Sequence, residues 1–211
     1  MKTVFKFGRK SPLASAAFPG LASVALFALL AILAPARAHA QAVFWTPRDL
    51  LADFFPTSEK VTFQQFDLAA DPAARRAVEQ RLGYPLARAR YTVYVASTAG
   101  HVDGYAIFDE ELGQHLPISF AVKLSPSGLV ERHELVAYRE ARGDEVRDNR
   151  FRAQFIGKSA RDSVRAGDDI VAVSGATISS RAMAVGCKRA LVLLDALVLR
   201  PQREASASAH R

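Results

Sequence analysis

Near its C-terminus the chain reads Val173-Ser174-Gly175-Ala176-Thr177-Ile178-Ser179-Ser180, between an apolar run from Ile170 to Val173 and a long helical pattern. A turn leading into a helix exposes unpaired backbone N–H groups, and the helix dipole favours negative charge there. A phosphate group is a natural guest of such a place. Gly175 lets the backbone approach a bulky group, and Ala176 leaves space beside it. Thr177 sets a hydroxyl at the helix mouth; Ser174, Ser179 and Ser180 add further donors. A phosphoester on Thr177 would sit where an anion is most easily tolerated. Taken in isolation, the same residues also make an ordinary helix start, with serine as cap, glycine as turn and Thr-x-Ser as first turn.

A second candidate is the polar stretch from Arg139 to Asn149, which holds Glu140, Gly143, Asp144, Glu145, Arg147 and Asp148. It reads either as a solvated loop or as a loop closing over a polar ligand. Just beyond it, Phe151 and Phe155 fall at i, i+4, the spacing of a buried helix face.

Other constellations carry less. His133-Glu134 lacks the second histidine of a zinc-protease helix, because position 137 is alanine. His101, His115 and His133 read as surface or sheet residues, and Asp109-Glu110-Glu111 as a solvated turn. The chain has one cysteine, which leaves no internal disulfide, Cys-ligated cluster or Cys-rich zinc site. Cys187 falls on an apolar helix face as a core residue. There is no P-loop and no Gly-x-Gly-x-x-Gly. No metal site or catalytic set emerges.

The formal charge of +7 over 211 residues is mostly local. Residues 1–40 carry Lys2, Lys6, Arg9, Lys10 and Arg37 and no acid, leaving 23 basic against 21 acidic residues in the remainder. That near-balance gives no electrostatic case for nucleic acid. Residues 1–40 read as an export signal: a basic start, an apolar core from Leu21 to Leu33, and Ala38-His39-Ala40 before Gln41. A longer apolar stretch counted from Ala14 would instead make an uncleaved inner-membrane anchor. Either way the folded part is expected in the periplasm.

The elements that must position the turn follow from pattern. Trp45-Thr46-Pro47-Arg48-Asp49 opens a short helical segment that Pro56 stops. Val61 to Phe66 alternates as a strand. Asp71-Pro72 caps a helix running to Leu82, and Gly83 suits the left-handed position after it. Strands at Tyr91–Ala96, Val102–Phe108, Ile118–Leu124 and Leu129–Tyr138 are joined by Thr98-Ala99-Gly100 and Ser125-Pro126-Ser127-Gly128 turns. A helix from about Ser179 to Leu199 buries Met183, Cys187, Ala190, Leu191 and Leu194, with Arg181, Lys188 and Arg189 on or near its exposed side. Pro201 is expected to end it, and residues 201–211 to be a disordered tail. The class is α+β: a small antiparallel sheet with packed helices, and a long C-terminal helix after the Ser-Gly-Ala-Thr turn.

The segment Ser174 to Ser180 resembles the flavinylation motif of the FMN-binding domain family. That family includes the covalent-flavin subunits of sodium-pumping NADH:quinone oxidoreductase and Rnf complexes, and small standalone periplasmic proteins, which this chain resembles most. The likeness extends upstream through Gly104-Tyr105, Gly113-Gln114-His115 with Pro117-Ile118, Tyr138-Arg139-Glu140, Gly143 to Arg147, and Phe151 to Lys158. It implies one FMN-binding domain over residues 41–200. It implies FMN joined through its phosphate to Thr177 by a flavin transferase that uses FAD and releases AMP. Around Thr177, Ser174, Gly175, Ala176, Ser179 and Ser180 form the cofactor-binding turn, and Glu140 and Gly143 lie near the flavin. The family often has an aspartate three residues before the motif serine; Val171 stands there in this chain. The implied role is electron transfer between membrane-bound or periplasmic redox proteins at the membrane surface; the alternatives are a flavin-dependent periplasmic reductase of a small substrate and a non-redox partner-binding module on the same fold.

Overall fold

The computed structural model describes residues 42–209. The leader and its cleavage point lie outside them.

Six strands form one fully antiparallel sheet. In chain order they are β1 (Ala42–Val43), β2 (Lys60–Asp67), β3 (Arg90–Thr98), β4 (His101–Leu112), β5 (Pro117–Leu124) and β6 (Val130–Tyr138). Their spatial order is β1-β6-β5-β4-β3-β2. Strands β2 to β6 are thus a meander, and β1 returns to cover the open edge of β6. The hairpin turns behave as their residues dictate: Ala99 and Gly100 both take positive φ, at 49° and 81°, as a two-residue reversal requires.

Among the described residues five α-helices accompany the sheet: α1 (Pro47–Phe54), α2 (Pro72–Leu82), α3 (Asn149–Ala153), α4 (Thr177–Leu194) and α5 (Arg200–Ala209). Helix α2 starts where Asp71 accepts from the N–H groups of Ala73 and Ala74 and ends at Gly83, whose φ is 78°. The core lies on both sheet faces. Against one face, α4 buries Met183, Cys187, Leu191 and Leu194 on Ile107, Phe120, Val122 and Leu124. Against the other, α1 sets Leu50 and Phe54 on Ala96, Ala106 and Ala121. The alternation of small and large residues along β3, β4 and β5 is therefore the division of labour between two helical layers.

Three expectations are corrected. Asp109-Glu110-Glu111 is not a solvated turn but part of β4, which is longer than its apolar run. Arg189 is not near the exposed side of its helix; it is buried and donates to Asp109 at 2.6 Å and Glu111 at 2.5 Å. Arg88 pairs with Asp109 as well. The charges that made the strand look solvated are neutralised by partners far along the chain, which no local pattern displays. Finally, Pro201 does not stop the helix. A π-helical turn over Asp195–Leu199 leads into α5, an exposed helix in place of a disordered tail. Proline clashes with the carbonyl four residues earlier in a regular helix, and a wider turn relieves that clash.

His133 is a sheet residue, but a fully buried one. Its ring stands edge-on to Phe120 and Phe155, at centroid distances of 5.4 and 4.6 Å. Neither ring nitrogen has a hydrogen-bond partner. Burial, and then the nearby Arg152 cation, push its pKa down to about 3.

Candidate functional site

The turn before α4 is built by backbone and serine hydrogen bonds. Ala176 N–H donates to the Val173 carbonyl at 3.0 Å. Ser180 Oγ accepts from Val173 N–H at 3.0 Å and donates to the Ala176 carbonyl at 2.9 Å. Ser180 is therefore a brace inside the turn, not a donor facing out. Gly175 has φ of 82°, a left-handed conformation that the chain reverses through and that an L side chain would strain. Ala176 is buried beneath the turn, whereas Ser174, Gly175 and Thr177 are exposed.

Thr177 is the first residue of α4, two residues earlier than the pattern indicates. No side chain caps this helix. Its first N–H groups, which have no partner within the helix, are left for water or a ligand. The hydroxyls of Thr177 and Ser174 have no hydrogen-bond partner among the described residues. An exposed free hydroxyl at an uncapped, 18-residue helix is a site a phosphoester fits without displacing any existing contact.

The Arg139–Asn149 stretch closes against this first turn. Ser179 Oγ lies 2.8 Å from Tyr138 Oη, whose own hydroxyl donates to the Arg142 carbonyl at 2.5 Å. With that proton used, Ser179 is the donor of the pair. Gly143 sits directly over them with φ of 99°. A methyl group there would meet Tyr138 Oη at 2.5 Å and Ser179 Oγ at 2.6 Å. Gly143 is thus required both by its backbone angle and by the approach of the loop to α4. Burial, opposed by the Ser179 hydrogen bond, raises the pKa of Tyr138 and keeps its hydroxyl protonated.

Glu140 points to the other side of the loop. Its carboxylate accepts from the backbone N–H groups of His115 at 2.5 Å and Leu116 at 2.8 Å. Partial burial works against its charge, but these N–H donors prevail and hold the carboxyl below its ordinary range. Glu140 so ties the loop to the turn between β4 and β5. A cleft of ≈390 Å³ opens there, lined by Gln114, His115, Leu116, Glu140, Ala141 and Arg142. The structure therefore brings Gly143 against Ser179 at the helix mouth, while Glu140 shapes the loop from behind.

Two residues outside the sequence-derived set also hold the turn. Gln154 makes a two-point clamp on Val171, accepting from its N–H at 2.7 Å and donating to its carbonyl at 3.1 Å. Tyr138 is the second, as above. The Gln154-Phe155-x-Gly157-Lys158 run signalled the first; nothing local signalled that Tyr138 would meet a serine 41 positions away. Val171 itself is 74% exposed. The carboxylate that matters nearby is Asp169, which receives Lys158 at 2.8 Å and the N–H groups of Val164 and Arg165. Burial opposes its ionisation, yet the Lys158 hydrogen bond and these N–H donors bring its pKa down to about 2.

Residues 113–192 match the family model of the FMN-binding domain. Among solved structures, the crystal structure of Shewanella oneidensis NqrC is similar at 17% identity and a TM-score of 0.44, over 64% of this chain and 79% of that one. No curated protein matches the chain. The matched segment runs from the β4–β5 turn through the Glu140–Gly143 loop and the Ser-Gly-Ala-Thr turn to the last turn of α4. Residues 113–192 thus carry the FMN-binding domain that this family model describes.

Proposed function

We propose that the protein is an exported electron carrier holding FMN covalently on Thr177. The observation that carries this reading is the exposed, unpartnered Thr177 hydroxyl at the uncapped start of α4. In the attachment step a flavin transferase splits the pyrophosphate of FAD. The Thr177 oxygen loses its proton and gains the FMN phosphoryl group, and AMP leaves. The first N–H groups of α4 and the hydroxyl of Ser174 are the donors placed to meet the phosphoester oxygens. Gly175 keeps the approach open, and Ser180 and Ala176 keep the turn in shape. Ser179, fixed by Tyr138, holds the Gly143 loop beside the mouth. Bound there, FMN supplies exchange of one or two electrons, which lets one site couple different carriers.

The leader in residues 1–40 supports a periplasmic setting, by release or as an inner-membrane anchor, with redox proteins at or near the membrane surface as donor and acceptor. A covalent bond suits that setting because a dissociated cofactor would be lost. The test is coexpression with a flavin transferase followed by a denaturing gel viewed for flavin fluorescence, with intact mass. A fluorescent band carrying an FMN mass increment is expected, and Thr177→Ala is expected to abolish both. Fluorescence that survives in T177A would falsify the assignment.

A further inference from the structure

Along α4 from Thr177, the residues at i+4 and i+11 are Arg181 and Lys188. They share one stripe of the helix, and Arg181 and Lys188 are about 10 Å apart along its axis. This stripe forms one wall of a groove of ≈570 Å³ whose other walls are the end of α2 and the 161–166 loop. Arg81, Arg161, Arg165, Arg181 and Lys188 line it, against one acid, Asp162. That acid is committed elsewhere: its carboxylate accepts from Ser159 N–H and Oγ, both at 2.7 Å. Arg161, Arg165 and Arg181 are exposed and have no acidic partner among the described residues. Lys188 donates to the Ala160 and Asp162 carbonyls. Its pKa is lowered by burial and then by the Arg81 cation, which itself pairs with Asp195 at 2.7 Å. Half-buried Leu82 and exposed Val185 supply apolar surface between the cations.

We infer that this groove docks the acidic face of a redox partner protein, alongside the Thr177 end of α4. The arrangement matches a protein face better than other anions. The free cations are spread along the rim around this apolar surface, the layout of a protein interface, rather than converging on one point as a lone phosphate requires. They line a recess, which a flat lipid surface would not fill. The remainder of the chain beyond the leader is nearly neutral, so the groove is a local feature that steers and orients a partner rather than a general polyanion surface.

The inference rests on the proposed flavin site for its meaning, but its test does not. A small acidic c-type cytochrome serves as the probe, and its affinity is measured at low salt against the full chain, once flavinylated and once as T177A. R161E/R165E/R181E is expected to weaken binding at least ~10-fold in both backgrounds, and R161Q/R165Q/R181Q by less. R48E/K60E, on α1 and at the start of β2, is expected to change it little. Far-ultraviolet circular dichroism and melting check that each variant is folded. Electron transfer from the reduced flavinylated chain to the cytochrome should slow in parallel. If T177A binds as the parent does but no flavin is ever found on Thr177, the flavin reading fails and the docking surface stands. Docking is overturned if the charge-reversed groove binds the cytochrome as the parent does, or no more weakly than R48E/K60E. It is also overturned if millimolar inorganic phosphate saturates the groove and displaces the cytochrome, or if only binding to anionic phospholipid vesicles is lost.

Discussion

Helix α4 has two unlike parts. Its first turn is exposed, uncapped and held by a few hydrogen bonds to a loop. Its middle is locked. Gly186 lies beneath Phe120, so that even a methyl group would fall 1.9 Å from the ring. One turn on, buried Arg189 meets Asp109 and Glu111 of β4. The difference teaches how a site can be open without being loose. The middle fixes the helix on the sheet in rotation and height, and the first turn inherits that placement while staying free for chemistry.

The largest effect should come from the locked part. Gly186→Leu is expected to prevent folding, since the ring it meets is itself in the core, and Gly186→Ala to cost on the order of 1–3 kcal/mol by overpacking. Urea unfolding would show it. A smaller change in G186A than in a surface glycine-to-alanine control would mean that the contact yields easily and the lock is not there. After Gly186→Leu, the next largest effect is expected from Asp109→Ala, at about 3–5 kcal/mol, because it leaves Arg189 buried with only one of its two carboxylate partners. Replacing Asp109 and Arg189 together by apolar residues should restore much of that loss.

A different kind of comparison is available at His133, which shares the core with α4. Its folded pKa of about 3 lies below its ordinary 6.5. Between those values the unfolded chain takes up the proton and the folded chain does not. Full stability is therefore present above pH 6.5 and is lost as pH falls toward 3, by about 1.4 kcal/mol per unit from this residue. Unfolding free energies at pH 7 and 5 should differ by less in His133→Phe than in the parent. An identical pH dependence in both would assign the acid sensitivity elsewhere.

Much of this was legible in the chain. The hairpins of the meander announced themselves because alternation and turn residues act over short distances. The same holds for α2, where Asp71, Pro72 and Gly83 fix both ends. The turn before Thr177 was visible for the same reason. Asp109 and Arg189 were misread because their charges point to solvent in any local reading, and each is cancelled by a residue 80 positions away. The two-residue β1 has no pattern of its own; pairing with β6 creates it. Gly143 could be named beside the site by resemblance, but that its missing side chain makes room for Tyr138 and Ser179 follows only from the fold.

The brace formed by Ser180 has a consequence for how the turn is recognised. Its hydroxyl spans Val173 and Ala176, closing the loop from inside, so the residues around Thr177 lose their freedom when the domain folds. The flavin transferase proposed above would then meet a single rigid shape rather than an ensemble from which it must select. Recognition would depend on the folded domain, and a short peptide of the same eight residues should be a poor substitute for it.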